Sequence, residues 1–231
     1  MSDDLIEVRN ISKEFGKKYN QVIAVSDVSL KVKKGEIVLI LGPSGSGKTT
    51  LLSIIGCIMR PTRGEVYIVG EKVSDMPEKC LPEIRKKHIG FVFQSFNLLH
   101  SLTAQENVEV ALNLNRIKGM EAKEKARGIL TELGMNERLN FIPTDLSGGE
   151  KQRVSIARAV VNNPKIILAD EPTGNLDSKA GQKIGKILRT LAKEHHSSVI
   201  VVTHDNRIEN IADRILYLED GMIKDERNLL L

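Results

Sequence analysis

The 231-residue chain has no tryptophan, and aromatic residues make up only 3% of it. That leaves little material for the stacked platforms that bind bases or sugars. Cysteine occurs twice, at Cys57 and Cys80. Two are too few for a disulfide framework and point to a reducing compartment. No run approaches the roughly 18 apolar residues of a membrane span. The densest stretch, 51–59, is interrupted by Ser53 and Gly56 and stops at Arg60. The first four residues, Met1-Ser2-Asp3-Asp4, are acidic and open no signal-peptide core, so no secretory leader is expected. An excess of one charge is also missing. With 34 basic and 30 acidic side chains, the net +4 is spread along the chain and names no partner. Internal repeats and low-complexity tracts are absent too.

What is present is an ordinary globular composition, 41% hydrophobic and 28% charged. Three short, β-branched-rich runs at 37–41, 166–169 and 199–202 have the continuous apolar character of strands buried on both faces of a parallel sheet. Each runs into small or polar residues: Gly42 to Gly47, then Asp170-Glu171-Pro172, then Thr203-His204-Asp205. Ligands of open α/β sheets bind beyond the carboxyl ends of such strands, so one shared site is expected there. Segments 5–8, 22–25 and 28–32 read as short antiparallel strands, with 65–68 and 90–93 adding more. The middle reads as helical. Over 121–133 it sets Ala122, Ala126, Ile129, Leu130 and Leu133 on one face. The expected fold is α/β, with a β-rich edge, a parallel core and a helical insertion at roughly 95–160.

Residues 42–49, Gly42-Pro43-Ser44-Gly45-Ser46-Gly47-Lys48-Thr49, fit G-x-x-x-x-G-K-[ST] at every fixed position. Glycines let the backbone turn tightly and present its N–H groups to phosphate oxygens. Lys48 supplies a cation for the β/γ-phosphates, and the Thr49 hydroxyl is a Mg²⁺ ligand. A helix starting through Thr50 adds the positive end of its dipole. Triphosphate chemistry also needs a magnesium carboxylate and a group to orient water. Asp170, at the end of an apolar strand, suits the first role. Glu171, one peptide further, suits the second as a general base.

The segment Leu146-Ser147-Gly148-Gly149-Glu150, followed by Lys151-Gln152-Arg153, has a double reading. Ser147 with Glu150 three positions on is a capping box. A hydroxyl and two bare glycine amides at a helix start also suit phosphate. Both can hold at once. In this order with the phosphate loop and Asp170-Glu171, the motif resembles the signature of ATP-binding cassette (ABC) ATPases, and the resemblance covers nearly the whole chain. It implies a P-loop NTPase parallel-sheet core with an antiparallel β subdomain and an inserted α-helical subdomain, within a single ABC ATPase domain over 1–231. It also assigns further residues. Gln94 matches the glutamine loop, which touches Mg²⁺ and senses a transmembrane partner. Asn175-Leu176-Asp177 matches the D-loop, and His204 the switch histidine on the γ-phosphate. Phe15 stands where the family stacks an aromatic on adenine, with Val25 beside the base or ribose. Ser147, Gly148, Gly149 and Glu150 complete the ATP site of a second copy in a head-to-tail homodimer.

Two departures from the common pattern stand out: Glu150 where Gln is commonest, and Thr173-Gly174 before the D-loop. Residues 172–178 with 91–94 and 102–108 are similar to the branch of lipoprotein-releasing, macrolide-exporting and cell-division permease ATPases. That implies an integral membrane permease as partner, a place on the cytoplasmic inner face of the cell membrane, and no nucleic acid. A soluble single-cassette ATPase serving a cluster-assembly or nucleic-acid complex is the competing reading. Lys48 and Ser147 are only 99 positions apart, which leaves no room for the long insertions of chromosome-organising members. Elsewhere the readings are plain: Cys57 as packing on the helix after the loop, Cys80 with His88 as no metal site, and His195-His196 as a solvated turn. Lys31, Lys33 and Lys34 read as an exposed strand edge, and 228–231 as a frayed end or small contact.

Overall fold

The alternating segments near the start of the chain pair as β1 (Asp4–Phe15) and β2 (Val22–Lys33). In this computed structural model, which describes residues 3–16 and 20–229, the expected strands at 22–25 and 28–32 are one strand. Register shifts in its pairing with β1 absorb the break in alternation. β3 (Ile37–Leu41) is buried at all five positions. Ile37, Leu39 and Leu41 enter one core, while Val38 and Ile40 enter another. That division is why the run shows no polar alternation.

After β3 come α1 (Lys48–Ile55), β4 (Arg63–Ile68) and β5 (Glu71–Lys72). β1, β2, β4 and β5 form an antiparallel sheet in the order β2-β1-β4-β5, with Lys31 and Lys33 on its β2 edge. Then follow α2 (Leu81–His88), β6 (Ile89–Phe93), α3 (Ala104–Leu114), α4 (Gly119–Glu132) and α5 (Gly148–Val160). The chain closes with β7 (Ile166–Asp170), α6 (Ser178–Glu194), β8 (Ser198–Thr203), β9 (Arg214–Glu219) and β10 (Met222–Asn228). The second sheet runs β10-β9-β3-β8-β7-β6, parallel throughout except for β10 at its edge. The architecture is the expected α/β one, a parallel core with the antiparallel sheet, α1 and α2 packed on one face and α3 to α6 on the other.

Helix starts follow local chemistry. Thr103 and Ser147 each close a capping box, on α3 and α5, and Asp177 caps α6. Along α4 the expected stripe is buried at Ala122, Ala126 and Leu130. Each fully buried aliphatic of Leu or Ile size contributes roughly 1.5–3 kcal/mol. Cys57 is buried as expected, yet it lies past the end of α1 in a left-handed turn rather than on the helix. Burial pushes its thiol up to about 11. Cys80 precedes α2 and His88 ends it, so the helix length separates them. Leu230 and Leu231, the last residues of the C-terminal tail, lie outside the described residues, as do Met1 and Ser2. Among the described residues no helix is long and apolar enough to cross a membrane.

Candidate active site

The neighbour order β3-β8-β7-β6 puts four carboxyl ends side by side on one edge of the sheet. Residues 42–47 leave β3, His204 leaves β8, Glu171 leaves β7 and Gln94 leaves β6. They meet around a cavity of about 530 Å³ lined by Ser44, Gly45, Gly47, Lys48, Thr49, Thr50, Gln94, Glu171, His204 and Ala24.

The loop from Gly42 to Gly47 wraps the start of α1. Gly47 caps that helix at φ 99°, and a Cβ there would lie 2.0 Å from the Ala24 carbonyl oxygen, so only glycine fits. A Cβ on Gly42 would lie 2.0 Å from the Leu218 carbonyl oxygen. Pro43 accepts from the Lys48 ammonium at 2.8 Å, as does the Gly42 carbonyl. Desolvation lowers the Lys48 pKa, with Glu171 and Asp170 opposing. The Ser46 hydroxyl is buried and finds no partner among the described residues. A buried amine bound only to carbonyls and a buried orphan hydroxyl on one loop are groups an anion would satisfy.

On the far side, Thr49 Oγ1 donates to Asp170 Oδ1 at 3.1 Å. Burial raises the Asp170 pKa, and the neighbouring Glu171 charge adds to the rise. Thr49 and Asp170, with Gln94 nearby on the cavity wall, are hard oxygen donors that fit Mg²⁺. Glu171 sits in the left-handed region, φ 47°, an unusual conformation for a non-glycine residue. Its backbone N–H donates to the Val202 carbonyl at 2.9 Å. Its carboxylate accepts from Thr203 Oγ1 at 2.7 Å and faces His204 Nδ1 at 2.8 Å. Sequence reasoning assigns Thr203 no role of its own, although it belongs to the polar cluster after 199–202. Asp205, which accepts from Thr173 Oγ1 at 2.7 Å and pairs with Arg207 at 2.7 Å, is likewise visible in the sequence only as part of that cluster.

Two expected residues lie elsewhere. Val25 is fully buried in the core between the sheets, and its neighbour Ala24 lines the cavity instead. Successive residues of a strand face opposite ways, so only one of the two can face the cavity, and the apolar Val25 takes the core. Phe15, at the end of β1, is 40% exposed under the Lys13 ammonium, 5.2 Å from its ring centre, and does not line this cavity. The signature residues Ser147, Gly148, Gly149 and Glu150 line a separate cleft of about 390 Å³, together with Arg153, Asn175, Asp177, Lys179 and Lys183. Among the described residues the two clefts share none. At the signature, the Ser147 hydroxyl donates to Glu150 Oε2 at 2.8 Å.

Residues 25–174 match the family model described as ABC transporter. The chain is 47% identical over 229 residues to an uncharacterized ABC transporter ATP-binding protein, MJ0796, of Methanocaldococcus jannaschii, covering 97% of each. It is 46% identical to the macrolide export ATP-binding/permease protein MacB of Agrobacterium fabrum, over 99% of this chain but only 35% of that protein. A dimeric structure of a post-hydrolysis state of the ATP-binding cassette MJ0796 bound to ADP and Pi superposes with TM-score 0.90. It is 45% identical and covers 97% of this chain and 98% of that one.

Proposed function

The chain belongs to the ABC transporter ATP-binding cassettes, and from that premise we propose that it works as the ATP-driven subunit of a permease of the lipoprotein-release and macrolide-export type. It is an ATPase. The observation carrying the fuller reading is the division of the phosphate-binding residues into two clefts on one chain. A second copy packed head to tail brings Ser147, Gly148 and Gly149 of one chain over the Lys48 loop of the other. ATP bound between them bridges the two copies, and hydrolysis removes the bridge. The work is a population shift driven by the different affinities of open and closed states for ATP and ADP.

Within each site, Lys48 exchanges its two carbonyl partners for phosphate oxygens, and the loop amides with Ser46 add donors. Thr49, Gln94 and Asp170 would hold Mg²⁺, which when bound lowers the charge of the phosphates. Glu171, steadied by Thr203, takes a proton from the attacking water as its oxygen bonds to the γ-phosphorus. The bond to the ADP oxygen then breaks, releasing ADP and phosphate. His204 leaves Glu171 for the γ-phosphate as the dimer closes. Phe15 stacks on adenine from outside the phosphate cavity.

Permease docking suits a groove of about 640 Å³ between α2, β6, α3 and α5, lined by Arg85, Phe91, Asn97, Leu114 and Arg158. The loop after Gln94 forms one wall. Arg158 of α5 donates to the Phe96 and Asn97 carbonyls at 2.8 and 2.6 Å, tying that loop to the signature helix. The helical subdomain spans roughly 95–160, and the ATPase works in the cytoplasm on the inner membrane face. The test is purification from detergent, where the chain is expected to emerge with an integral membrane protein. Leu114→Glu should abolish that association and leave the ATPase of the isolated chain intact. Recovery solely with ribosomes or DNA would overturn the reading.

A further inference from the structure

The signature cleft contains an unusual carboxylate. Its wall is otherwise basic, with Arg153, Lys179 and Lys183, and its other acid, Asp177, is engaged in capping α6. Glu150 instead accepts from the Ser147 backbone N–H at 2.8 Å and from the Ser147 hydroxyl at 2.8 Å. The hydroxyl has one proton, and Glu150 holds it. An anion arriving at Ser147 therefore meets a like charge and a committed donor. Arg153, Lys179 and Lys183 line the cleft, but the cation paired directly with Glu150 is another. Arg138, twelve positions earlier, donates from Nε to Glu150 Oε1 at 3.1 Å, and its guanidinium carbon lies over the Phe141 ring, 4.8 Å from the centroid. A glutamine at 150 would close the capping box without the charge and would need no such partner.

We propose that Arg138 is a positioning residue for the signature: it balances Glu150 so that the Ser147 hydroxyl can turn from Glu150 and donate its hydrogen bond to a nucleotide γ-phosphate. This rests on the two-chain site proposed above. The hydrogen bonds from Ser147 and Arg138 also keep Glu150 ionised by lowering its pKa, so the charge persists at neutral pH.

The test is steady-state ATP hydrolysis by the full chain with Arg138→Met, Glu150→Gln and the double variant. Arg138→Met is expected to raise KM for ATP about fivefold, the size of a partly exposed ion pair, with kcat within about twofold. Glu150→Gln should give a KM at or below the parent's. In the double variant KM should return to the Glu150→Gln value, and Arg138→Lys should stay near the parent. The Arg138→Met defect should shrink in high salt. An unchanged KM in Arg138→Met, or a defect that persists in the double variant, overturns the proposal. Should Arg138→Met fail to fold, Arg138→Gln gives the same readout with the polar stem kept. Glu171→Gln run on gel filtration with ATP separates the two levels. No ATP-dependent dimer sinks the two-chain site itself. A normal dimer without coupling between positions 138 and 150 sinks only this inference.

Discussion

Glu171 is held in a conformation that few non-glycine residues adopt, φ 47°, with its carboxylate fixed by Thr203 and facing His204. Strain of this kind, about 1–3 kcal/mol, persists where surrounding contacts over-determine it. Glu171→Gln is therefore expected to keep ATP binding, lose at least about a hundredfold in turnover, and run as a dimer on gel filtration in ATP. Turnover like the parent's would remove Glu171 from the base role. Thr203→Val deletes the hydroxyl that steadies the carboxylate, and a hydrogen bond to a charged group of this kind is worth about 1.5–3 kcal/mol. Its kcat should drop roughly tenfold or more with KM little changed, as stopped-time phosphate release would measure. Asp205 titrates at about 2 rather than near 3.8, chiefly because Arg207 hydrogen-bonds its carboxylate. Its folded pKa is depressed, so its contribution is complete above pH 3.8 and disappears as pH falls through 2. After solvent screening that contribution is about 1 kcal/mol. Urea midpoints of the parent and Asp205→Asn should differ at pH 6 and converge toward pH 2.

Two helices, α3 and α5, begin with the same device, a Thr103/Glu106 and a Ser147/Glu150 capping box. Local chemistry treats them alike. Thr103→Ala and Ser147→Ala should each cost about 1 kcal/mol in urea unfolding. Their functional outcomes should diverge. Thr103 caps a helix away from either phosphate cleft, so its variant should keep the parent's ATPase, whereas Ser147→Ala should also lose affinity for ATP. Equal ATPase losses would show that the second effect is only destabilisation. The strands tell a related story. β3, β7 and β8 are legible because strands covered on both faces are apolar throughout, and a short run of β-branched residues seldom forms anything but a strand. α6 carries the same kind of legible pattern at helical period, with Ile184, Leu188 and Leu191 along one buried face and charged residues on the other. β10 carries almost no buried residue and pairs only at the sheet edge, so no pattern of burial could announce it.

At the scale of the molecule, the two clefts on one chain make a complementation experiment possible. A Lys48→Ala chain and a Ser147→Arg chain should each be inactive alone. Mixed, heterodimers contain one site with both defects and one with none. With half the dimers mixed and one of two sites intact, about a quarter of the parent's ATPase should return if the sites act independently. The loop from Gly42 to Thr49, the Asp170-Glu171 pair and the strand class of the core are all written in the chain itself. Those depend on residues adjacent in the chain and on burial patterns with a short period. Only chain packing sets β3, β8, β7 and β6 side by side in that order, which carries Gln94, Glu171 and His204 to one cavity although 77 and 33 positions separate them in turn. It decided that Ala24 rather than Val25 faces that cavity, because the core claimed the larger apolar side chain. It also decided that Arg138 meets Glu150 and that the signature lines a different cleft from its own phosphate loop, since both follow from how helices pack on the sheet.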